Sequence, residues 1–183
     1  MDDSPDKNLE VGLIISNNEP IKFVDPRNIN LGNKVIIKNE LANKLISSSN
    51  LELVNMKKYQ KIMIQNLIPN SLNDLVVNKS LLLENNFDQI NALDWNKGCY
   101  VGQELTARMK YRALLKKSLR LIKLNSGKVQ SGDAIFFTNN TIGQITSIID
   151  DLGLAMIKIK DANLAKENKS ILSTSTGKIS IIN

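Results

Sequence analysis

The chain has 183 residues, 42% of them hydrophobic, which is enough for one domain of ordinary size, or one and a fraction, with a sizeable core. It has no histidine and one cysteine, so imidazole catalysis, histidine metal ligation, an internal disulfide and any zinc or cluster site held by this chain alone are excluded. The net charge of +6 suits an anionic partner, yet the lysines are scattered and no basic run carries interleaved aromatics, which argues against direct nucleic-acid binding.

With four Phe, three Tyr and one Trp, the core must be built mainly from Ile, Leu and Val. No stretch reaches the roughly 18 apolar residues of a membrane span, and the first residues, Met1 to Asp6, are acidic and polar rather than those of a signal or transit peptide. The expectation is a soluble, cytoplasmic protein in a reducing compartment.

Residues 9–15 and 21–24, separated by Asn17-Asn18-Glu19-Pro20, predict a hairpin, and 34–38 a further strand; Asp25-Pro26-Arg27 closes the second of these. Helices are expected over 40–48 and 55–67, the latter from a stripe of Met56, Tyr59, Ile62, Met63 and Leu67 and ended by Pro69. These elements amount to half of an α/β sandwich layer. Ser71 or Asn73 could cap a short turn, and Leu81-Leu82-Leu83 predicts a buried strand or helix segment ending in Glu84, with Asn85, Asn86 and Asp88 as turn formers.

The chemistry concentrates in Lys97-Gly98-Cys99-Tyr100-Val101-Gly102-Gln103-Glu104, followed by Leu105-Thr106-Ala107-Arg108 and Tyr111-Arg112. Glycines at 98 and 102 permit positive torsions or a close approach of backbone to another molecule, which puts Cys99 on a tight, accessible turn. A helix should start at Gly102-Gln103-Glu104, since an acid gains from the N-terminal dipole and Leu105, Met109 and Ala113 recur at helical spacing. Lys97, and Arg108 and Arg112 if the chain folds back, should favour the Cys99 thiolate, the form that acts as nucleophile and as soft metal ligand. The bland alternative, a buried cysteine serving as a small hydrophobe, fits poorly with such polar and glycine neighbours. After Lys116-Lys117 the pattern alternates. Strands are predicted at 118–124, 133–137, 141–149, 153–160 and 178–182, with turns at Ser126-Gly127, Asn139-Asn140 and Asp150-Asp151, and so many short strands suggest a closed or nearly closed antiparallel barrel.

The run from Lys97 to Arg108 with Tyr111-Arg112 resembles the signature of the folate-binding YgfZ-like branch of the glycine-cleavage T-protein (aminomethyltransferase) superfamily. Phe23-Val24-Asp25-Pro26-Arg27 with Leu31-Gly32, and Leu82-Leu83-Glu84-Asn85-Asn86-Phe87-Asp88, fall in the same order and at about the same spacing as in that branch. Ala113 departs from it, standing where glycine is common. The resemblance implies an α+β chain: a partial aminomethyltransferase-like folate-binding α/β domain over 1–115 that carries the cysteine motif, then a small antiparallel C-terminal β-barrel over 116–183. It also implies that a further N-terminal segment is usual, so that the chain starts late or another polypeptide supplies the segment; the catalytic aspartate of the transferases lies in that segment and is carried over to no residue here.

The implied cofactor is tetrahydrofolate or a derivative, the implied role iron–sulfur cluster assembly or repair, with tRNA modification in the same branch, and the implied partners are iron–sulfur client or carrier proteins. Cys99 and Lys97 are the candidate catalytic residues, with Cys99 also a transient cluster ligand and no resident metal site. Glu84 is the candidate pterin reader, weighed against an ordinary surface acid, because a carboxylate can accept two parallel hydrogen bonds from the 2-amino group and N3–H of a pterin. Tyr100, Gln103, Glu104, Arg108 and Arg112 are the other cofactor-binding candidates, and Gly98 and Gly102 are the motif glycines. The two arginines could meet the carboxylates of a folate tail, pair with Glu104 or hold a phosphate. The alternative is a folate-dependent aminomethyl or methyl transferase, disfavoured because that transfer calls for no cysteine; a fragment that only scaffolds a complex is weaker still.

Overall fold

The computed structural model describes residues 20–112 and 114–182. The expected strand at 9–15 and Ala113 lie outside the described residues. Two compact units share the chain: the described part of the first holds residues 20–23 and 33–53, and the second holds 24–32 and 54–182.

In the first unit, β1 (Ile21–Val24), whose last residue falls in the second unit, and β2 (Asn33–Ile36) form a two-stranded sheet, followed by α1 (Asn39–Ser48). β2 ends two residues short of the expected 38, where the chain turns into the helix. α1 buries none of its residues, and Val35 and Ile36 are exposed.

The second unit opens on the Asp25-Pro26-Arg27 turn and continues into α2 (Met56–Gln65), which starts under the side chain of Asn55, acceptor of the Lys58 N–H at 3.0 Å. Its buried residues are Met63 and Ile64 rather than the whole expected stripe, for Met56 at the exposed first turn is 67% accessible. The helix also ends before Pro69 can stop it. The Asn66 side chain donates to the Ile62 carbonyl at 2.8 Å and Leu67 takes a left-handed φ of 55°. Met63 packs with Ile68 and Ile90, and Ile64 packs against Leu119 and Leu154 on the outside of the barrel.

Residues 66–102 contain neither helix nor strand, which corrects the expectation for 81–83. The segment folds as successive turns whose backbone groups are satisfied locally: the Asn70 side chain, not Ser71 or Asn73, accepts from the Leu72 N–H at 2.9 Å, and the Phe87 N–H reaches the Leu82 carbonyl at 3.1 Å. Leu83 and Ile90 are buried, and Asn86 turns the chain with a φ of 61°.

After α3 (Gln103–Tyr111), the strands β3 (Lys117–Gly127), β4 (Ala134–Phe137), β5 (Asn140–Ile149), β6 (Leu152–Lys158), β7 (Leu172–Ser173) and β8 (Gly177–Ile181) close into a barrel in the order β3-β6-β5-β4-β7-β8, all pairs antiparallel. Ile122, Ile135, Ile142, Ile145, Ile157, Leu172 and Ile179 fill it. The barrel was expected; α4 (Ile159–Glu167) was not. The sixth strand stops at Lys158 rather than 160, and Ala162 and Ala165, three apart on one helical face, are buried in the barrel core. β3 runs through Ser126-Gly127, where a turn was expected, because Gly127 pairs with Gly177 of β8.

Gly143 on β5 stands where the barrel leaves no room for a side chain. A Cβ there would stand 2.3 Å from the Met156 carbonyl oxygen and 2.9 Å from the Ile157 Cα, both backbone atoms of β6, so a side chain must part the two strands. Gly143→Ala is expected to lower stability by about 1–3 kcal/mol, read as a lower urea midpoint at unchanged slope.

Candidate functional site

The cysteine motif is a turn that ends in a helix. Gly102 is the N-cap of α3 with a left-handed φ of 85°, a torsion that favours glycine, and space beside it is open, so the residue is required by conformation and not by packing. Gly98 does not have a left-handed φ, and space beside it is also open, so neither conformation nor packing requires glycine there. The Gln103 N–H donates to the Tyr100 carbonyl at 3.1 Å, and the Thr106 hydroxyl donates to the Gly102 carbonyl at 3.1 Å, which together fix the helix start. Cys99, just before this start, is a free, exposed cysteine.

The cations of the motif are largely engaged. The Lys97 ammonium sits 4.5 Å over the Tyr100 ring, and Lys110 lies 3.7 Å over Trp95, whose ring meets Tyr111 edge-on at 6.4 Å. Of the roles open to Arg108, the structure shows the pair with Glu104 one helical turn earlier, on an exposed face. Glu104 lies in the first turn of the helix, as the dipole argument requires. Arg112 is exposed and forms the cap just past the helix end, so it continues the face of Arg108 only as a flanking residue. The buried side of α3 is Thr106 and Met109; Leu105, expected on that side, is 51% accessible.

Glu84 is half-buried. Its carbonyl accepts the Leu119 N–H at 2.8 Å, which ties the turn segment to β3. Its carboxyl is pushed above the ordinary glutamate value by desolvation, opposed by the nearby Lys117 charge. Among the described residues its carboxylate accepts no hydrogen bond from another side chain.

A cavity of about 310 Å³ lies between the turn segment, α3 and the barrel. Leu83, Asn86, Met109, Lys110, Ser118 and Arg120 are among its lining residues; Cys99 and Glu84 are not. The fold thus brings the end of α3 and the neighbours of Glu84 to one cavity, but does not bring Cys99 and Glu84 together there. Asn86 was expected only as a turn former, and Ser118 and Arg120 only as strand residues. The readable signal was Arg120 itself, a charge two residues before Ile122 on the face of β3 that fills the barrel. Among the described residues no group of three or more Cys, Asp or Glu could hold a metal ion, and no helix is long and apolar enough to cross a membrane.

No family model matches the chain. It is similar to the iron–sulfur cluster assembly factor IBA57 of mouse mitochondria, 31% identical over 113 residues that make up 58% of this chain and 32% of the relative. The homologue of that factor in Neurospora crassa is 30% identical over 95 residues, 52% of this chain and 21% of the relative. The tRNA-modifying protein YgfZ of Vibrio atlanticus is 30% identical over 110 residues, 60% and 34% of the two chains. The chain therefore spans about a third or less of the length of these relatives. In fold it is similar to the crystal structure of the glycine cleavage system aminomethyltransferase T from Bartonella henselae, with a TM-score of 0.60 at 15% identity over 82% of this chain and 45% of the other. The resemblance to the YgfZ-like branch and the aminomethyltransferase-like α+β fold with its C-terminal barrel are borne out.

Proposed function

We propose that this chain acts in iron–sulfur cluster assembly or repair as a tetrahydrofolate-binding accessory protein in which the Cys99 thiolate handles the cluster. The observation that carries the reading is the exposed Cys99 thiol on a glycine-capped turn at the start of α3, with Lys97 two residues away. As its thiolate, this side chain offers a soft sulfur ligand to an iron of the cluster, which is cargo here. One cysteine supplies one ligand, so the remaining ligands come from the carrier or client protein on either side of a transfer. The relatives named as cluster assembly factors support the assignment to this process. A cytoplasmic setting belongs to the same reading.

For the folate, the fit rests on Glu84. A half-buried carboxylate raised by desolvation, with no side-chain donor of its own, is an acceptor suited to the paired N–H groups of a pterin. Bound tetrahydrofolate would supply nitrogen centres able to carry a one-carbon unit; this chain's residues bind and orient it.

Calorimetry with tetrahydrofolate under reducing conditions tests the reading. Binding is expected to survive Cys99→Ala and to weaken about tenfold or more in Glu84→Gln, the scale of a lost charge-assisted hydrogen bond. Unchanged affinity in Glu84→Gln would remove Glu84 from the site, and no binding at all would overturn the folate part of the reading for this chain. The same variant has a stability signature of known sign. Because the folded protein holds the Glu84 proton more tightly than the unfolded chain, whose glutamate titrates near 4.5, its contribution to stability falls as pH rises through and above that value. Glu84→Gln should therefore be at least as stable as the parent at pH 7 and show a flatter loss between acid and neutral pH in urea titrations.

A further inference from the structure

The cavity beside the barrel carries a donor set that neither the cysteine motif nor Glu84 accounts for. Three of its lining residues present buried polar atoms with no hydrogen-bond partner: Asn86 Nδ2, Ser118 Oγ and Arg120 Nε. Asn86 and Ser118 are only 4% and 8% exposed, so bulk water does not serve them. All three atoms can donate, and one belongs to a permanent cation.

Arg120 is the most telling. Ser118 and Arg120 alternate along β3 opposite Ile157 and Ala155 of β6, in phase with Ile122, so both stand on the face that fills the barrel. Among the described residues its guanidinium makes one side-chain hydrogen bond, from Nη2 to the Asn163 Oδ1 at 3.3 Å, and no carboxylate pairs with it. A half-buried cation without a counterion is costly unless something compensates its charge. Asp88, which also lines the cavity, is exposed, and Lys110, another lining residue, adds a second positive charge while resting over Trp95. The volume, about 310 Å³, is at the small end of the roughly 300–1,000 Å³ of ligand sites.

We propose that this cavity binds a small molecule through an oxyanion group, carboxylate or phosphate, with Arg120 as the charge partner and Ser118 and Asn86 as hydrogen-bond donors. A neutral acceptor would satisfy the amide and the hydroxyl but leave the guanidinium charge uncompensated. Neither Cys99 nor Glu84 lines the cavity, so the proposal does not rest on the thiol or on the pterin contact.

The experiment is calorimetry and thermal unfolding of the full chain with inorganic phosphate and with glutarate, each compared with chloride at equal ionic strength. At least one of the two should bind and raise the unfolding temperature in a concentration-dependent way, and the tighter of the two identifies the group as phosphate or carboxylate. Arg120→Met should lose at least tenfold in affinity while its unliganded form is no less stable than the parent, a combination that a purely structural arginine would not give. Ser118→Ala, a smaller change, should weaken binding severalfold with the fold intact, and it decides the matter if the arginine variant folds poorly. Binding of neither ion beyond chloride, or unchanged affinity in a folded Arg120→Met or in Ser118→Ala, overturns the proposal.

Discussion

Replacing Asp25 by alanine is expected to lower the stability of the second unit by about 3–5 kcal/mol, the largest loss foreseen for any single polar side chain here. The carboxylate is 2% exposed and gathers donors from one short turn: the Arg27 N–H at 3.0 Å, Arg27 Nε at 3.0 Å and Nη2 at 2.8 Å, the last two in the parallel arrangement that suits a guanidinium. Arg27 Nη2 also reaches the Tyr59 hydroxyl of α2 at 2.7 Å, so the pair anchors the turn to the helix. Removing the acid leaves a partly buried cation whose protonated state the Asp25 hydrogen bond chiefly supported. Asp25→Asn should be nearly as costly, since its amide turns two donors toward other donors. A paired replacement, Asp25→Leu with Arg27→Met, should recover much of the loss, because it leaves no uncompensated charge. Urea unfolding of the three variants measures this; a single Asp25→Ala loss below 1 kcal/mol would sink the account.

That fork also shows where sequence reading stops. Asp25-Pro26-Arg27 was legible as a strand-closing turn, but its partner Tyr59 lies 32 residues on, and nothing local announces the meeting. The barrel was readable because alternation along 118–124 and 141–149 is a local signal that burial on one face imposes. α4 was missed for the converse reason. Ile159 follows the sixth strand without a glycine or proline between them, and its helical pair Ala162 and Ala165 is short and weakly apolar, so only docking into the barrel shows why it is a helix. Arg120 lies between the two cases: its inward phase could be read, but its environment depends on barrel closure through β3 with β8, a pairing some sixty residues apart in sequence. In the motif, Gly102 and the start of α3 followed from composition alone, whereas the pairing of Arg108 with Glu104 was one of three roles the spacing left open.

Cys99→Ser separates the thiol reading from the transferase one. The side chain is exposed, so the exchange should change stability by no more than about 0.5 kcal/mol, within the range of surface substitutions. Its functional effect should be of another order. A serine hydroxyl keeps its proton at neutral pH and is a hard donor, so the one thiolate the chain can offer is removed. Loss of a supporting group already costs a metal site roughly 10–100-fold, and loss of the ligating atom itself should exceed that in a cluster-transfer assay with the chain. Gly102→Ala is the contrasting control. It leaves the sulfur in place but forces an L-residue into the left-handed region at φ 85°, so a partial loss with lowered stability is expected, of about 1–2 kcal/mol. On the reading proposed above, tetrahydrofolate affinity should be untouched in Cys99→Ser, because that reading assigns the pterin contact to Glu84 and the cluster to the thiol. If the serine variant instead keeps full activity while aminomethyl transfer to tetrahydrofolate is detected, the thiol is a bystander and the transferase chemistry is the one this fold performs.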